Sequence, residues 1–386
     1  PKSRLPTMAL AVFSMLVSTL APGSPLLSPC VTHAPRAHVS SCTASDLAPR
    51  PSAARLLAIL DAGGALLANR SDAGLLSIIG AGRRRFLHQQ STNAIERMAP
   101  DDVRETVLTT ATGRVRDLVT AFCSEDELLV LTSAGCAASL LKTLDMFVFP
   151  ADQVDLADRS ADFVTYALIG RGAPAALEAV GLGVAPAPGH AIQLADELGY
   201  VLDGASLSEP GLTLLLRRGE AAEQAVAALA AASSVACLSA GESELLRLLQ
   251  GRPSVGPELN KEINPLEAGL WGAISFDKGC YIGQETIAKL STVGGPKQQL
   301  WGLRPSAGST AAPALPAELY PSSSAEGRPV GSLTSCVATA EGDLVGLGYV
   351  RTKAGGEGTR LFTADGTAVE VVSVPYPRRS KEEPAS

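Results

Sequence analysis

From Asp277 to Leu290 the chain reads DKGCYIGQETIAKL, which gathers a thiol, an ammonium group and two glycines ahead of an apolar repeat. Ile282, Thr286, Ile287 and Leu290 recur at helical spacing while Gln284, Glu285 and Lys289 fall on the other face, so a helix is expected over 282–290. Cys280 then stands at or just before a helix N-terminus. Unpaired backbone N–H groups there, with the Lys278 ammonium two residues back, favour thiolate over thiol and so a reactive cysteine. Gly279 and Gly283 let the backbone turn tightly. The residues alone leave a second reading open, in which Cys280 is a small apolar filler, the commoner state of an unpaired cysteine.

The elements that must position this turn are readable from periodicity. AGLLSIIG (73–80) reads as a buried strand and GRRRFLHQQSTN (82–93) as a short helix, with Arg83, Arg84 and Arg85 on a solvated face. RETVLTTATGRVRDLVTAFC (104–123) gives two strands turning near Gly113; ELLVLTS (127–133) adds a third, and 135–149 a helix with Leu140, Leu141, Leu144 and Phe147 on one side. The same pass recurs: strand 163–170, helix 173–181, strands near 191–203 and 212–217, helix 220–232. Two similar α+β halves are therefore expected. Helix 242–250 ends at Gly251 with Pro253 beyond. From 297 to 375, short apolar runs separated by Gly, Pro and Ser predict a small antiparallel barrel or sandwich, with 307–327 a loop and 376–386 a charged tail.

Composition excludes several classes. A hydrophobic content of 46% with 18% charged residues is that of a globular chain, and no apolar run approaches the length of a membrane span. A net charge of −7, with no basic cluster interleaved with aromatics, argues against nucleic acid as a partner. Residues 1–50 are Ser-, Ala- and Pro-rich, with Lys2, Arg4 and Arg36 and no acid before Asp46. That is the composition of a transit peptide, with Met8 a candidate start; the expected destination is the chloroplast stroma first, the mitochondrial matrix second and secretion third. Cysteines at 30, 42, 123, 136, 237, 280 and 336 leave five after such a segment is removed. Scattered and without a C-x-x-C, they speak against a disulfide framework, a structural zinc or a self-contained iron–sulfur site, so no metal site is expected.

NPLEAGLWGAISFDKGCYIGQE (264–285) closely resembles the signature of the YgfZ-type folate-binding proteins of iron–sulfur cluster maturation, in the superfamily of the glycine-cleavage T-protein, an aminomethyltransferase. FLHQQSTN (86–93), TGRVRDL (112–118), LRLLQGRP (246–253) and GGPKQQLWGL (294–303) fall in the family's order and spacing. The resemblance runs from about Gly74 to Pro375. It implies an α+β, three-domain ring around a channel holding tetrahydrofolate or a one-carbon derivative. The expected parts are two folate-binding units, 66–160 and 161–292, and a C-terminal small β-barrel, 293–375.

The resemblance also implies site residues. Glu209, in SEPG (208–211), matches the family's pterin-binding acid, and a carboxylate can accept paired N–H bonds from an aminopyrimidine edge. Arg247 matches the arginine of a Leu-Arg-Leu-Glu-Ala-Gly stretch, with Leu249 and Gln250 departing from it; a folate contact and a helix-surface ion pair are equally open. Gln90 and Asn93 are expected as channel-lining amides and Tyr281 as a further cofactor-binding residue, with His88 on the helix surface. Gly113, Arg114 and Asp117 match the T-protein Gly-Gly-x-x-Asp-Asp stretch, whose first Asp assists amine attack, although Leu118 replaces the second acid. Asp117 is thus either catalytic or paired with Arg114, which would keep it ionised. Cys280, with Lys278 as activator, stands where T-proteins have Asp and marks the maturation branch. The expected function is a monomeric folate-binding protein assisting [4Fe–4S] assembly or repair, with scaffold or carrier proteins and client enzymes as partners. The alternative is a tetrahydrofolate-dependent aminomethyl or one-carbon transferase.

Overall fold

The computed structural model describes residues 49–374 apart from 206, 293 and 307–311. The expected transit segment up to residue 48 and the tail 376–386 lie outside the described residues. Helix α1 (Ala53–Asp61) and strand β1 (Ala65–Asn69) come first. The first half follows as β2 (Ala73–Ile79), α2 (Arg83–Gln90), β3 (Val103–Thr109), β4 (Val115–Cys123), β5 (Glu127–Ala134), α3 (Ala137–Asp145) and β6 (Asp155–Asp158). The second repeats the order as β7 (Phe163–Ile169), α4 (Ala173–Ala179), β8 (Ala191–Gln193), β9 (Gly199–Asp203), β10 (Gly211–Arg217), α5 (Glu220–Ala231) and β11 (Val235–Cys237). Helix α6 (Ala240–Leu249), a long irregular segment and α7 (Gln284–Thr292) lead to β12 (Gln298–Pro305), β13 (Ala317–Leu319), β14 (Gly331–Ala338), β15 (Leu344–Arg351), β16 (Arg360–Phe362) and β17 (Ala368–Val372).

The halves share a topology. The first sheet runs β3-β4-β5-β2-β6 and the second β8-β9-β10-β7-β1-β11. β1, ahead of the first half, pairs antiparallel with β7 in the second sheet, while β6 ends the first half by pairing antiparallel with β2 of its own sheet. Within the expected unit 66–160, β1 therefore belongs to the second sheet and the remaining strands to the first. The segment 264–292, expected with the second half, is stitched to the first through the contacts described below.

Both faces of each sheet are buried, which is why the strands read as unbroken apolar runs. In β2, Leu76 and Ile78 pack with Phe86, Leu87, Leu140 and Leu144 of α2 and α3. Leu75, one position out of phase, meets Phe122, Leu129 and Leu131, together with Phe163, Leu202 and Leu215 of the second sheet. The two sheets thus pack face to face with helices outside. Each enclosed leucine contributes about 1.5–3 kcal/mol relative to exposure. A cap such as Ser239 on α6, which accepts from Glu242 N at 3.2 Å, contributes about 1 kcal/mol, so packing dominates.

The C-terminal sheet runs β13-β14-β15-β12-β17-β16. Its two edges meet through paired bonds between Tyr320 and Phe362, at 2.7 and 2.9 Å, which leave a six-stranded barrel nearly closed. The expected barrel is the structure found.

The motif glycines interlock. Gly113 (φ +68°) and Gly283 (φ +84°) occupy left-handed turns against one another. A Cβ on Gly283 would lie 2.5 Å from the Thr110 carbonyl oxygen and 2.8 Å from Gly113 Cα. Thr109 Oγ1 donates to the Ile282 carbonyl at 2.6 Å, and Asn264 Nδ2 to the Gly113 carbonyl at 2.8 Å. The turn opening β4 is thereby seated on the 264–285 segment. Gly283→Ala is expected to destabilise the fold by about 3 kcal/mol or more, combining backbone strain with a clash against backbone. Gly135→Ala, at φ +68° with nothing within 4 Å, should cost only about 1 kcal/mol; urea denaturation of the two variants checks the difference.

Candidate functional site

β4 carries Asp117 to a position with no exposed surface. Its carboxylate accepts from Ser133 N at 3.0 Å and from Ser133 Oγ at 2.6 Å, across to the end of β5. Burial raises its pKa from 3.8 to about 6, against the opposing pull of the Ser133 hydroxyl and N–H. The Arg114 pairing, one of the two readings open for Asp117, is not formed: the Arg114 guanidinium donates to the Glu262 carbonyl at 2.7 Å and lies 3.5 Å from Glu267. Freed of that partner, Asp117 changes protonation near neutrality, where a proton-transferring carboxyl must work.

Ser133 lines a cavity of ≈ 460 Å³ between the sheets and α6. Leu118, Leu131, Ile169, Leu207 and Leu246 supply apolar wall, and Asn69, Thr120 and Thr132 supply polar groups. That size and lining suit a small organic ligand. Asp117 is not itself a lining residue and is joined to the cavity wall through its bonds to Ser133.

Arg247 also reaches the wall, but all five of its N–H donors are committed. Nε and Nη2 grip Glu244 at 2.8 and 2.7 Å; Nη1 donates to the Arg252 carbonyl at 2.6 Å and to Glu258 at 3.0 Å; Nη2 also reaches Ser335 Oγ at 3.1 Å. The side chain is an internal brace rather than a helix-surface pair. Glu209 is half-buried on the loop whose Ala205 and Leu207 line the cavity, and is not itself a lining residue.

The remaining motif residues gather elsewhere. The Lys278 ammonium is buried and donates to three carbonyls, those of His88, Ser91 (2.7 Å) and Asn93 (2.8 Å), at the end of α2. Burial pulls its pKa down to about 7, with Glu96 acting the other way. It sits 4.8 Å from the centre of the Tyr281 ring. Tyr281 is buried with Leu266, Ile274 and Ile287, and burial pushes its phenol up to about 12. Asn93 uses its side chain on the Glu105 carbonyl (2.8 Å) and Ala94 N (2.8 Å), and Gln90 closes α2. None of Gln90, Asn93, Lys278, Cys280 or Tyr281 lines the cavity.

Cys280 is exposed, and α7 begins only at Gln284, so the thiol is not at a helix N-terminus as expected. The intended activator, Lys278, serves the three carbonyls instead. His88 is buried rather than on the surface, its Nδ1 accepting from Glu96 N at 3.2 Å. Arg83 and Arg84 turn inward to the Glu125 and Met98 carbonyls. Cys123, Cys136, Cys237, Cys280 and Cys336 are all free thiols. Sequence reasoning missed Ser133, Glu258 and Arg70; the polar run Asn69–Asp72 between two apolar runs was the available turn signal for Arg70.

No protein-family model matches the chain. It is 32% identical over 318 residues to the chloroplastic "Putative transferase" of Arabidopsis thaliana, covering 81% of this chain and 71% of the relative. An aminomethyltransferase of Frankia alni is 28% identical over 273 residues, 69% of this chain and 72% of the relative. The solved glycine cleavage system aminomethyltransferase T of Bartonella henselae superposes with a TM-score of 0.70 at 21% identity, over 83% of this chain and 89% of that one.

Two measurements probe the site. The folded chain holds the Asp117 proton more tightly than the unfolded chain between pH 3.8 and about 6, so the stability this proton contributes is full below about pH 4 and lost as pH rises through 6. Between pH 4 and 7 the wild type should therefore lose about 2–3 kcal/mol relative to Asp117→Asn in urea titrations, and equal pH profiles would refute the assignment. Lys278→Met removes the donor that three carbonyls share and should cost about 2–4 kcal/mol, whereas Cys280→Ser should stay within about 0.5 kcal/mol by thermal melting.

Proposed function

The chain belongs to the folate-binding T-protein superfamily of aminomethyltransferases and their relatives, and from this we propose a reduced-folate-binding protein of the chloroplast stroma that assists [4Fe–4S] assembly or repair. We read its two mixed sheets and barrel as the three parts of a ring with the cavity between the mixed sheets. The cavity fits the group: its volume is in the range of cofactor sites, much of its wall is apolar, and Asn69, Thr132 and Ser133 offer convergent polar atoms. Bound there, a reduced folate supplies a nitrogen able to carry a one-carbon unit.

The observation that carries the maturation reading is the motif turn. Lys278 and Gly283 fix it from both sides, and Cys280 is left exposed, with no hydrogen bond to any described residue. A thiol held outward on a rigid turn is available to a partner protein and to a cluster in transit as substrate. Scaffold or carrier proteins and client enzymes are the partners this suggests.

A second reading, one-carbon or aminomethyl transfer, is favoured by Asp117. Its carboxylate accepts the Ser133 Oγ proton at 2.6 Å, so a proton released in the cavity can pass to Ser133 Oγ as the serine proton moves to Asp117. This requires a group that is ionised yet readily protonated, as a pKa of about 6 provides.

Activity of a [4Fe–4S] enzyme, measured in cells lacking their own family member and supplied with residues 51–386, separates the readings. Rescue by the wild type and Asp117→Asn, with loss in Cys280→Ser, is expected for maturation. Rescue by Cys280→Ser with loss in Asp117→Asn would replace it with the transferase reading.

A further inference from the structure

Charge around the cavity does not balance at Arg70. Among the lining residues Arg70, Arg247 and Arg252 carry guanidinium groups. Arg247 is saturated as described, and Arg252 stands 2.7 Å from Glu105. Arg70 donates a single long bond, from Nη1 to the Ala205 carbonyl at 3.4 Å, and forms no ion pair with any carboxylate among the described residues. Asp72 and Glu105 favour its charge only from farther off, while burial and Arg252 lower its pKa. Its nitrogens are not among the enclosed, unpartnered atoms, so they open on the cavity they line.

The backbone beneath it is fixed. Arg70 lies on the short link from β1 of the second sheet to β2 of the first, where its N–H donates to the Thr165 carbonyl at 2.8 Å and its carbonyl accepts from Ala73 N at 2.9 Å. Asn69 Oδ1 tightens the link by accepting from Ser71 N at 2.9 Å. A planar fork of donors held on a rigid turn and facing a cavity is organised for an anion with two coplanar oxygens. One guanidinium without a contact ion pair, on walls that also carry Asp72 and Glu244, suits a single carboxylate group better than a doubly charged phosphate.

We propose that Arg70 is the anion-recognising residue of the cavity and pairs with a carboxylate of the bound ligand, which, resting on the folate reading above, is one of the two at the glutamyl end. Arg247 holds the wall in shape, and Arg70 reads the charge.

The test is isothermal titration of the purified 51–386 chain with tetrahydrofolate and with 6-methyltetrahydropterin, which lacks the glutamyl end, using wild type, Arg70→Met and Arg70→Lys. Arg70→Met should weaken tetrahydrofolate about 10- to 100-fold and leave the pterin unchanged, with Arg70→Lys recovering part of the loss. Without ligand, Arg70→Met should melt at or above the wild-type temperature, because an unpaired cation is removed from the wall. Wild-type affinity for tetrahydrofolate in Arg70→Met, or an equal loss for both ligands, overturns the proposal while leaving folate binding intact. Failure of the wild type to bind either ligand overturns the folate reading and the glutamyl assignment together.

Discussion

Glu258, a carboxylate with no exposed surface, ties the cavity to the barrel. It accepts from Arg247 (3.0 Å), Ser254 N (3.1 Å), Ser254 Oγ (3.2 Å), Thr334 (2.6 Å) and Ser335 (2.7 Å), while its own carbonyl accepts from the Tyr349 hydroxyl at 2.8 Å. α6, the loop after it and strands β14 and β15 all converge on this one group. Such a charge is tolerable only because nearly every lone pair is met, and removing one partner of a buried pair typically costs about 3–5 kcal/mol. The wall formed by Leu246, Arg247 and residues 252–255 keeps its shape through that node. The same commitment removes Arg247 from ligand recognition.

A second constraint acts from the opposite side. β4 carries Asp117, and its leading turn is seated by Gly113 on Gly283 and by Asn264 on the Gly113 carbonyl. Lys278 ties the same motif to α2 and the segment after it through the carbonyls of His88, Ser91 and Asn93. The signature string therefore has a structural role that is independent of any chemistry at Cys280. Its glycines are required by their mutual approach, and its lysine by the three carbonyls it gathers.

Much of the fold was legible because the strands are buried on both faces and long enough to show as apolar runs bounded by Gly. The two halves were legible for the same reason. β1, β6 and β11 were not: each is at most five residues long, and β1 pairs with the opposite half, which no local pattern encodes. Asp117 could be placed by its spacing from Gly113. Its environment could not, since the Arg114 three residues before it turns to Glu262 and Glu267. Lys278 misled in the same way: proximity to Cys280 in sequence suggested activation, while the fold brought it stronger partners from residues 88–93. Arg70 was invisible because an isolated arginine in a turn is ordinary until a cavity closes over it.

The carboxylate and the thiol are set apart, yet they share a support. Asp117 lies four residues beyond Gly113 on β4, and Cys280 three residues before Gly283, so the Gly113–Gly283 contact is the short path between them. Neither turn can shift alone: Gly283 approaches the Thr110 carbonyl and Gly113 approaches Thr286, and Thr109 binds the Ile282 carbonyl across the same junction. A displacement of the thiol-bearing turn must therefore move the start of β4 or break those contacts. Two close-packed glycine turns leave little room for an intermediate arrangement. The thiol-bearing turn and the strand that carries Asp117 therefore stand on opposite ends of this one junction.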